Sequence, residues 1–530
     1  MSEDHRRQHG PGAADGGPAL TLRVHQNKYL PASAGRTEMH AIVSVRAGGL
    51  GPAAARTAAS EVIVIDCSMS MSWPPTKIAA ARRATATAVG ILRDGTRFAI
   101  VEGTEQAQVV YPFTGGMAVA GPDTKAAAAR VAARLPAVGG TAIGSWLDLA
   151  RRLHLRQPAA IRHTLLLTDG RNEHDPPGYL DQVLDSCAPH FTCDARGIGD
   201  GWDATELKRI AHRLHGRADA VLKDSALAAE FEEMVSASMA KALAGVRIRI
   251  RTRAGSRVGF VKQVHPTRAD LTDQGVRPDE RTWEWTSRAW GDETREYQVS
   301  VLADPRHDPM GEDVELAAVE LVVEGDTALP LPEPESVLVQ WTDDVLLSSR
   351  IDPRLAHYDA DSELGHAITA GCDAYEAGDR ERARRQWGRA VQLAHQLGSE
   401  KMLARLSGLV HVVDAATGEV RIREPIRPLD LNSVIVVSEE SAPFMGVDRP
   451  APAAPPAADV LCPVCGRRSP ATAEFCQQCN APLNGEPGRP GQPGGAGGSD
   501  GAGGTGGPGG TGGSDGAGGT GGPGGTGGAI

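Results

Sequence analysis

Val62-Ile63-Val64-Ile65-Asp66-Cys67-Ser68-Met69-Ser70-Met71 joins an unbroken apolar run to an Asp-x-Ser-x-Ser turn. The four apolar residues have no alternating polar face, so they read as a central parallel strand covered by helices on both sides. Residues just past the carboxyl end of such a strand lie where open α/β sheets carry their ligands. The turn brings one carboxylate and two hydroxyls, the donors of a hard-cation site. Two later loops offer the rest: Gly139-Gly140-Thr141, and Thr168-Asp169-Gly170 after a strong strand at 164–167.

Outward from this run, strand and helix alternate. A stripe at Ile78, Ala81, Thr85, Val89 and Leu92 predicts a helix over 76–92, and further helices are expected at 124–135, 143–153, 204–214 and 227–243. Strands are expected at 98–101, 191–195 and 218–222, so residues 58–243 read as a doubly wound α/β parallel sheet. Over 246–350 the helices stop and period-two strands follow, the pattern of an antiparallel β-sandwich. Two alternating stretches within 21–46 are too short for a domain and are expected to pair with that sandwich, making the α/β domain an insertion.

Helical character returns over 355–413. Ala374-Tyr-x-Ala-Gly-Asp-x-x-x-Ala383 resembles part of a tetratricopeptide repeat, but one pair cannot build a solenoid, so packing against the sandwich is expected. Residues 443–460 form a proline- and alanine-rich linker, 461–483 a cysteine cluster, and 484–530 a glycine-rich tail with an identical 15-residue repeat. The tail and residues 1–20 offer too little apolar area to offset backbone entropy and are expected to be disordered.

The net charge of −11 opposes salt-driven capture of nucleic acid or an anionic membrane. Arg247, Arg249, Arg251 and Arg253 alternate along a strand and read as its solvated face. No apolar stretch reaches membrane length, and the first twenty residues lack a secretory core, so the expected location is cytoplasmic. Cys67, Cys187, Cys193 and Cys372 are scattered while four cysteines cluster, which suits a reducing compartment with one metal knot. Cys462-x-x-Cys465 and Cys476-x-x-Cys479 can direct four thiolates at one Zn²⁺. The unit resembles the short zinc ribbons at the ends of bacterial regulatory proteins. Its metal is expected to be structural and its surface to offer a second protein contact.

In the oxygen set, Ser68, Ser70 and Thr141 supply hydroxyls and Asp66 and Asp169 carboxylates, a combination suited to Mg²⁺ or Mn²⁺ rather than Zn²⁺. In order and spacing these residues resemble the metal-ion-dependent adhesion site of von Willebrand factor type A (VWA) domains, a match covering 58–243. Ile198-Gly199-Asp200 is similar to a Gly-Ile-Gly stretch common there, and Met69 stands where a small residue is usual. The resemblance implies that Ser68, Ser70 and Thr141 coordinate the cation and that Asp66 and Asp169 act largely through water. An exposed Asp or Glu of a protein partner would then complete the shell.

The expected role is a non-enzymatic binding scaffold. Two alternatives stand beside it: a metal-assisted hydrolase, and a nucleic-acid adaptor acting through the ribbon. His174, close in sequence to Asp169, is the one histidine expected near the site. His163 belongs at the strand entrance, and neither a phosphate loop nor a nucleophile elbow occurs.

Overall fold

In the computed structural model, which describes residues 19–324 and 329–446 and two short strands at Val460–Leu461 and Arg468–Ser469, the apolar run is the middle of the strand Ala59–Asp66. Every residue of that strand is buried. The sheet order is Ala218–Val221, Thr192–Ile198, Ile161–Thr168, Ala59–Asp66, Arg97–Gly103 and Ala107–Tyr111. The first five strands are parallel and Ala107–Tyr111 is antiparallel at the edge. Val62 and Val64 face Trp146, Leu147 and Ala150 of the helix Ile143–Leu155. Ile63 and Ile65 face Ile78 and Ala81 of the helix Thr76–Ile91 and Phe231 of Leu227–Met239. Burying such a side chain stabilises by about 1.5–3 kcal/mol, so both faces hold the strand in register.

The helix expected over 124–135 runs Pro122–Ala132, and two further differences arise in this layer. The helix Tyr179–Cys187 was not anticipated, although Leu180, Val183, Leu184 and Cys187 bury a regular stripe. The helix expected to reach 243 ends at Met239, because Leu243 opens the sandwich strand Leu243–Thr252 and pairs with Trp290. Pairing into a buried sheet overrides helical propensity there.

The sandwich packs two sheets around Trp285, Trp290, Trp341 and Tyr297. One contains Ala19–His25, Thr37–Gly48, Glu293–Ala303 and Arg257–His265; the other contains Thr282–Trp290, Leu243–Thr252, Asp313–Val323 and Glu335–Thr342. The chain leaves after Thr37–Gly48, builds the α/β sheet, and re-enters at Leu243–Thr252. The arginine row is neutralised across strands: Arg247 and Arg249 meet Glu284 at 2.6 Å, and Arg253 meets Asp308 at 2.6 Å.

The helices Pro353–Glu376 and Arg380–Gln396 pair as expected of a helical hairpin, with Glu400–Leu406 after them. The helical reading to 413 is corrected: Val410–Asp414 and Glu419–Ile422 form a β-hairpin, followed by the helix Pro428–Val436. A β-branched run before a Gly-containing turn carries the strand signal. The segment meets the α/β layer as well as the sandwich. Pro428–Val436 packs on Ala204–Arg213 and Ala218–Val221 of the α/β layer. The start of Pro353–Glu376 meets the sandwich through Tyr358 with Ile42 and Val264, and through the Arg354–Glu296 pair.

The chain divides into two units, Met1–Gly446 and Val447–Ile530. In the second, Val460–Leu461 pairs antiparallel with Arg468–Ser469. The zinc-ribbon cysteines, the glycine-rich repeats and residues 1–18 lie outside the described residues. No helix among the described residues is long and apolar enough to cross a membrane.

Candidate functional site

Strand register assembles the oxygen cluster. Ile65 pairs with Leu167, so the next residues, Asp66 and Thr168, emerge side by side at the carboxyl edge. Asp66 then organises both loops: its Oδ1 accepts from the Ser68 amide at 2.8 Å, and its Oδ2 accepts from Thr168 Oγ1 at 2.7 Å and the Asp169 amide at 3.2 Å. Burial pushes the Asp66 carboxyl up to about 6, opposed by the bonds from Ser68 and Thr168 and reinforced by the nearby Asp169.

The hydroxyls converge on Asp169. Ser70 Oγ donates to Asp169 Oδ1 at 2.6 Å, Ser68 Oγ lies 3.4 Å from the same oxygen, and the two serine hydroxyls are 2.9 Å apart. Thr141 reaches the same face: a methyl on Gly170 would come 3.1 Å from Thr141 Oγ1 and 3.9 Å from Ser70 Oγ. Oxygens ligating one ion octahedrally at about 2.1 Å sit about 3 Å from each other. The two serine hydroxyls, 2.9 Å apart, already have that spacing, so they can share a small divalent cation. Asp66, Ser68, Thr141 and Asp169 are buried, while Ser70 is exposed and opens the cluster to solvent.

The third loop is braced from outside. Met69 donates to the Gly139 carbonyl at 2.9 Å and Val138 to the Cys67 carbonyl at 2.6 Å. Gly139 takes φ +86°, and a methyl there would come 2.5 Å from Glu105 Oε2. His174 does reach the site, as a brace for the same loop: Thr141 donates to His174 Nδ1 at 3.1 Å and His174 returns its amide to the Thr141 carbonyl at 3.0 Å. That nitrogen is consumed as an acceptor, which removes it from service as a base. His163 lies at the opposite end of the sheet, between Glu61 at 2.6 Å and Asp194 at 3.3 Å.

Lys77 is the functional residue the sequence reading missed. Its ammonium pairs with Asp169 Oδ2, with 10% of the lysine side chain and none of the aspartate exposed. Gly199, at φ +75°, gives it room, since a methyl there would come 3.2 Å from Lys77 Cδ. The signal was present: Lys77 precedes Ala80, Ala81 and Ala84 at helical spacing on the buried face. Cys67 points into the core with Ile63, Ile65 and Met71, and burial raises its thiol well above the usual range. Among the described residues no group of three or more His, Cys, Asp or Glu gathers as a metal set; the oxygen cluster depends on hydroxyls.

A doubly wound sheet carrying Asp-x-Ser-x-Ser, a threonine and a second aspartate at its carboxyl edge defines a VWA-class protein. Residues 61–220 match the von Willebrand factor type A domain model. The chain is 37% identical to the solved von Willebrand factor type A protein from Catenulispora acidiphila, covering 81% of this chain and 98% of that one at a TM-score of 0.74. The chain therefore belongs to the von Willebrand factor type A family. The ArnB paralog VWA2 from Sulfolobus acidocaldarius is also similar, at 14% identity over 79% of this chain and 98% of that one with a TM-score of 0.49. No curated protein sequence matches the chain. Domains of this family are characteristically non-catalytic, protein-binding modules.

Proposed function

We propose that the chain is a cytoplasmic scaffold that grips an exposed Asp or Glu of a partner protein through Mg²⁺ or Mn²⁺ held in the oxygen cluster. Ser68, Ser70 and Thr141 would bind the cation, with Asp66 and Asp169 acting through water. The observation that carries this reading is the rim: Met69, Trp73 and Val138 stand 68%, 78% and 55% exposed on the loops that build the cluster. Single exposed apolar residues are ordinary, but three around one polar centre suit a partner whose acidic residue is ringed by apolar contacts. The four described cysteines are free and buried, which supports a reducing compartment. Cys462, Cys465, Cys476 and Cys479 would hold a structural Zn²⁺, and that ribbon would supply a second protein contact. The hydrolase alternative loses support from the engaged His174, and binding of nucleic acid along the sandwich loses it from the paired arginine row.

The test is partner capture with and without Mg²⁺, using the full chain and the Ser70→Ala and Thr141→Ala variants. Capture should require the cation and fall at least tenfold in both variants. Equal capture in chelator would overturn the reading. Zinc analysis of Cys462→Ser against the parent chain tests the ribbon, with loss of bound zinc expected.

A further inference from the structure

A cavity of about 380 Å³ opens between the amino-terminal end of the α/β sheet and the sandwich strand Thr282–Trp290, at the far end of the sheet from the oxygen cluster. Small-molecule sites run from roughly 300 to 1,000 Å³. Most carboxylates around this cavity are engaged within the protein. Asp194 meets His163 at 3.3 Å and accepts from the Arg217 amide at 2.6 Å. Glu293 holds Lys241 at 2.9 Å and Arg295 at 2.8 Å, and Asp292 accepts from the Leu50 amide at 2.8 Å. Glu233 stands exposed among the lining residues.

Two guanidinium groups are left over. Among the described residues the exposed side chain of Arg217 and the half-buried one of Arg288 have neither an ion-pair nor a hydrogen-bond partner in the protein. His212 Nε2, also on the wall, is buried without a hydrogen-bond partner among the described residues. His215 is pushed down to about 4, first by burial and then by Arg288 and Arg295. The two walls also carry the two positive-φ non-glycine residues of the described chain, His215 at 54° and Ala289 at 49°. Such conformations cost of order 1–3 kcal/mol each and gather at ligand clamps.

We propose that this cavity binds a phosphate monoester of metabolite size, with Arg217 and Arg288 as its guanidinium partners and His212 Nε2 as a third contact. A monocarboxylate would satisfy one guanidinium fork; a phosphate monoester brings two charges and three acceptor oxygens, enough for both forks and an imidazole. The site is independent of the cation cluster, so either can fail alone.

The experiment is calorimetric titration of the full chain with AMP and with glucose 6-phosphate, against citrate and against chloride at matched ionic strength. One of the phosphate monoesters should bind saturably and raise Tm, with affinity at least tenfold weaker in Arg217→Gln and in Arg288→Gln. Among the described residues neither arginine side chain has a partner, so both variants should melt with the parent chain when no phosphate ester is added. Absence of saturable binding by either ester, or affinity unchanged in both variants, would overturn the proposal. Equal binding of citrate would overturn the phosphate assignment.

Discussion

Replacing Lys77 by Met tests the proposed cation site, where this lysine would set the affinity for a divalent ion. The ammonium on Asp169 Oδ2 is nearly buried and its partner wholly so, and Asp169 Oδ1 is the oxygen on which Ser68 and Ser70 converge. A divalent ion bound there must face this resident charge. Two unit charges about 4 Å apart at an effective dielectric near 20 interact by about 4 kcal/mol, so a doubly charged ion would be opposed by about twice that if the lysine stayed. The lysine can swing away, which caps the penalty at the strength of the buried pair, about 3–5 kcal/mol when one partner is removed. Lys77→Met keeps the unbranched shape and removes the charge. Calorimetric titration with Mn²⁺ should show at least tenfold tighter binding, with each tenfold worth about 1.4 kcal/mol. The metal-free variant should melt below the parent chain, because Asp169 is left uncompensated, and saturating metal should raise its Tm by more than it raises the parent's. Equal or weaker Mn²⁺ affinity in a folded variant would refute the reasoning.

Trp73→Ala should weaken partner capture by about 2 kcal/mol or more while leaving Mn²⁺ affinity unchanged, since the proposed function makes this largely exposed Trp on the rim an anchor of the hot-spot kind. The Glu61–His163–Asp194 cluster predicts a pH dependence of stability. Burial alone would lower His163, but Glu61 and Asp194 carry it up to about 10, above its unfolded value of 6.5. Its contribution is therefore complete below pH 6.5 and lost as pH rises through about 10. Urea unfolding at pH 7 and pH 9 should show that decline, and His163→Gln should flatten it at a cost of about 3–5 kcal/mol. Gly371→Ala should cost about 1–3 kcal/mol in the same assay, because the added methyl would overlap the Trp387 ring across the helical hairpin.

The α/β layer was legible because its central strand is apolar on both faces and its helices bury stripes at regular spacing. The oxygen cluster was legible because its donors sit immediately after strands, where chain order alone fixes which loops can meet. Lys77 was missed because a lysine beside an alanine stripe reads as a solvated helix start until Asp169 is seen facing it. The hairpin at Val410–Asp414 was missed because Leu409 and Val410 also satisfy a helical period, and only the turn around Gly418 separates the two readings. The cavity was invisible in sequence: Arg217, Arg288 and His212 come from an α/β loop, a sandwich strand and a helix, and nothing in their spacing announces that they share a wall.

Asp66 and the hydroxyls play different parts, and that division decides how mutations at this site should be read. Both carboxylate oxygens of Asp66 are taken by donors of the protein: the Ser68 amide on one, and Thr168 Oγ1 and the Asp169 amide on the other. Removing Asp66 therefore leaves buried N–H and O–H groups unpaired, at about 1–3 kcal/mol each, and loosens two loops at once. Loss of capture in an Asp66 variant follows from loop collapse whether or not a cation binds. Ser70 is different: it is exposed, and among the described residues its hydroxyl meets only Ser68 and Asp169, so its removal subtracts a donor while the loops stay tied by Asp66. If metal affinity falls in Ser70→Ala while Tm holds, the cation itself is the link between this edge of the sheet and whatever it grips.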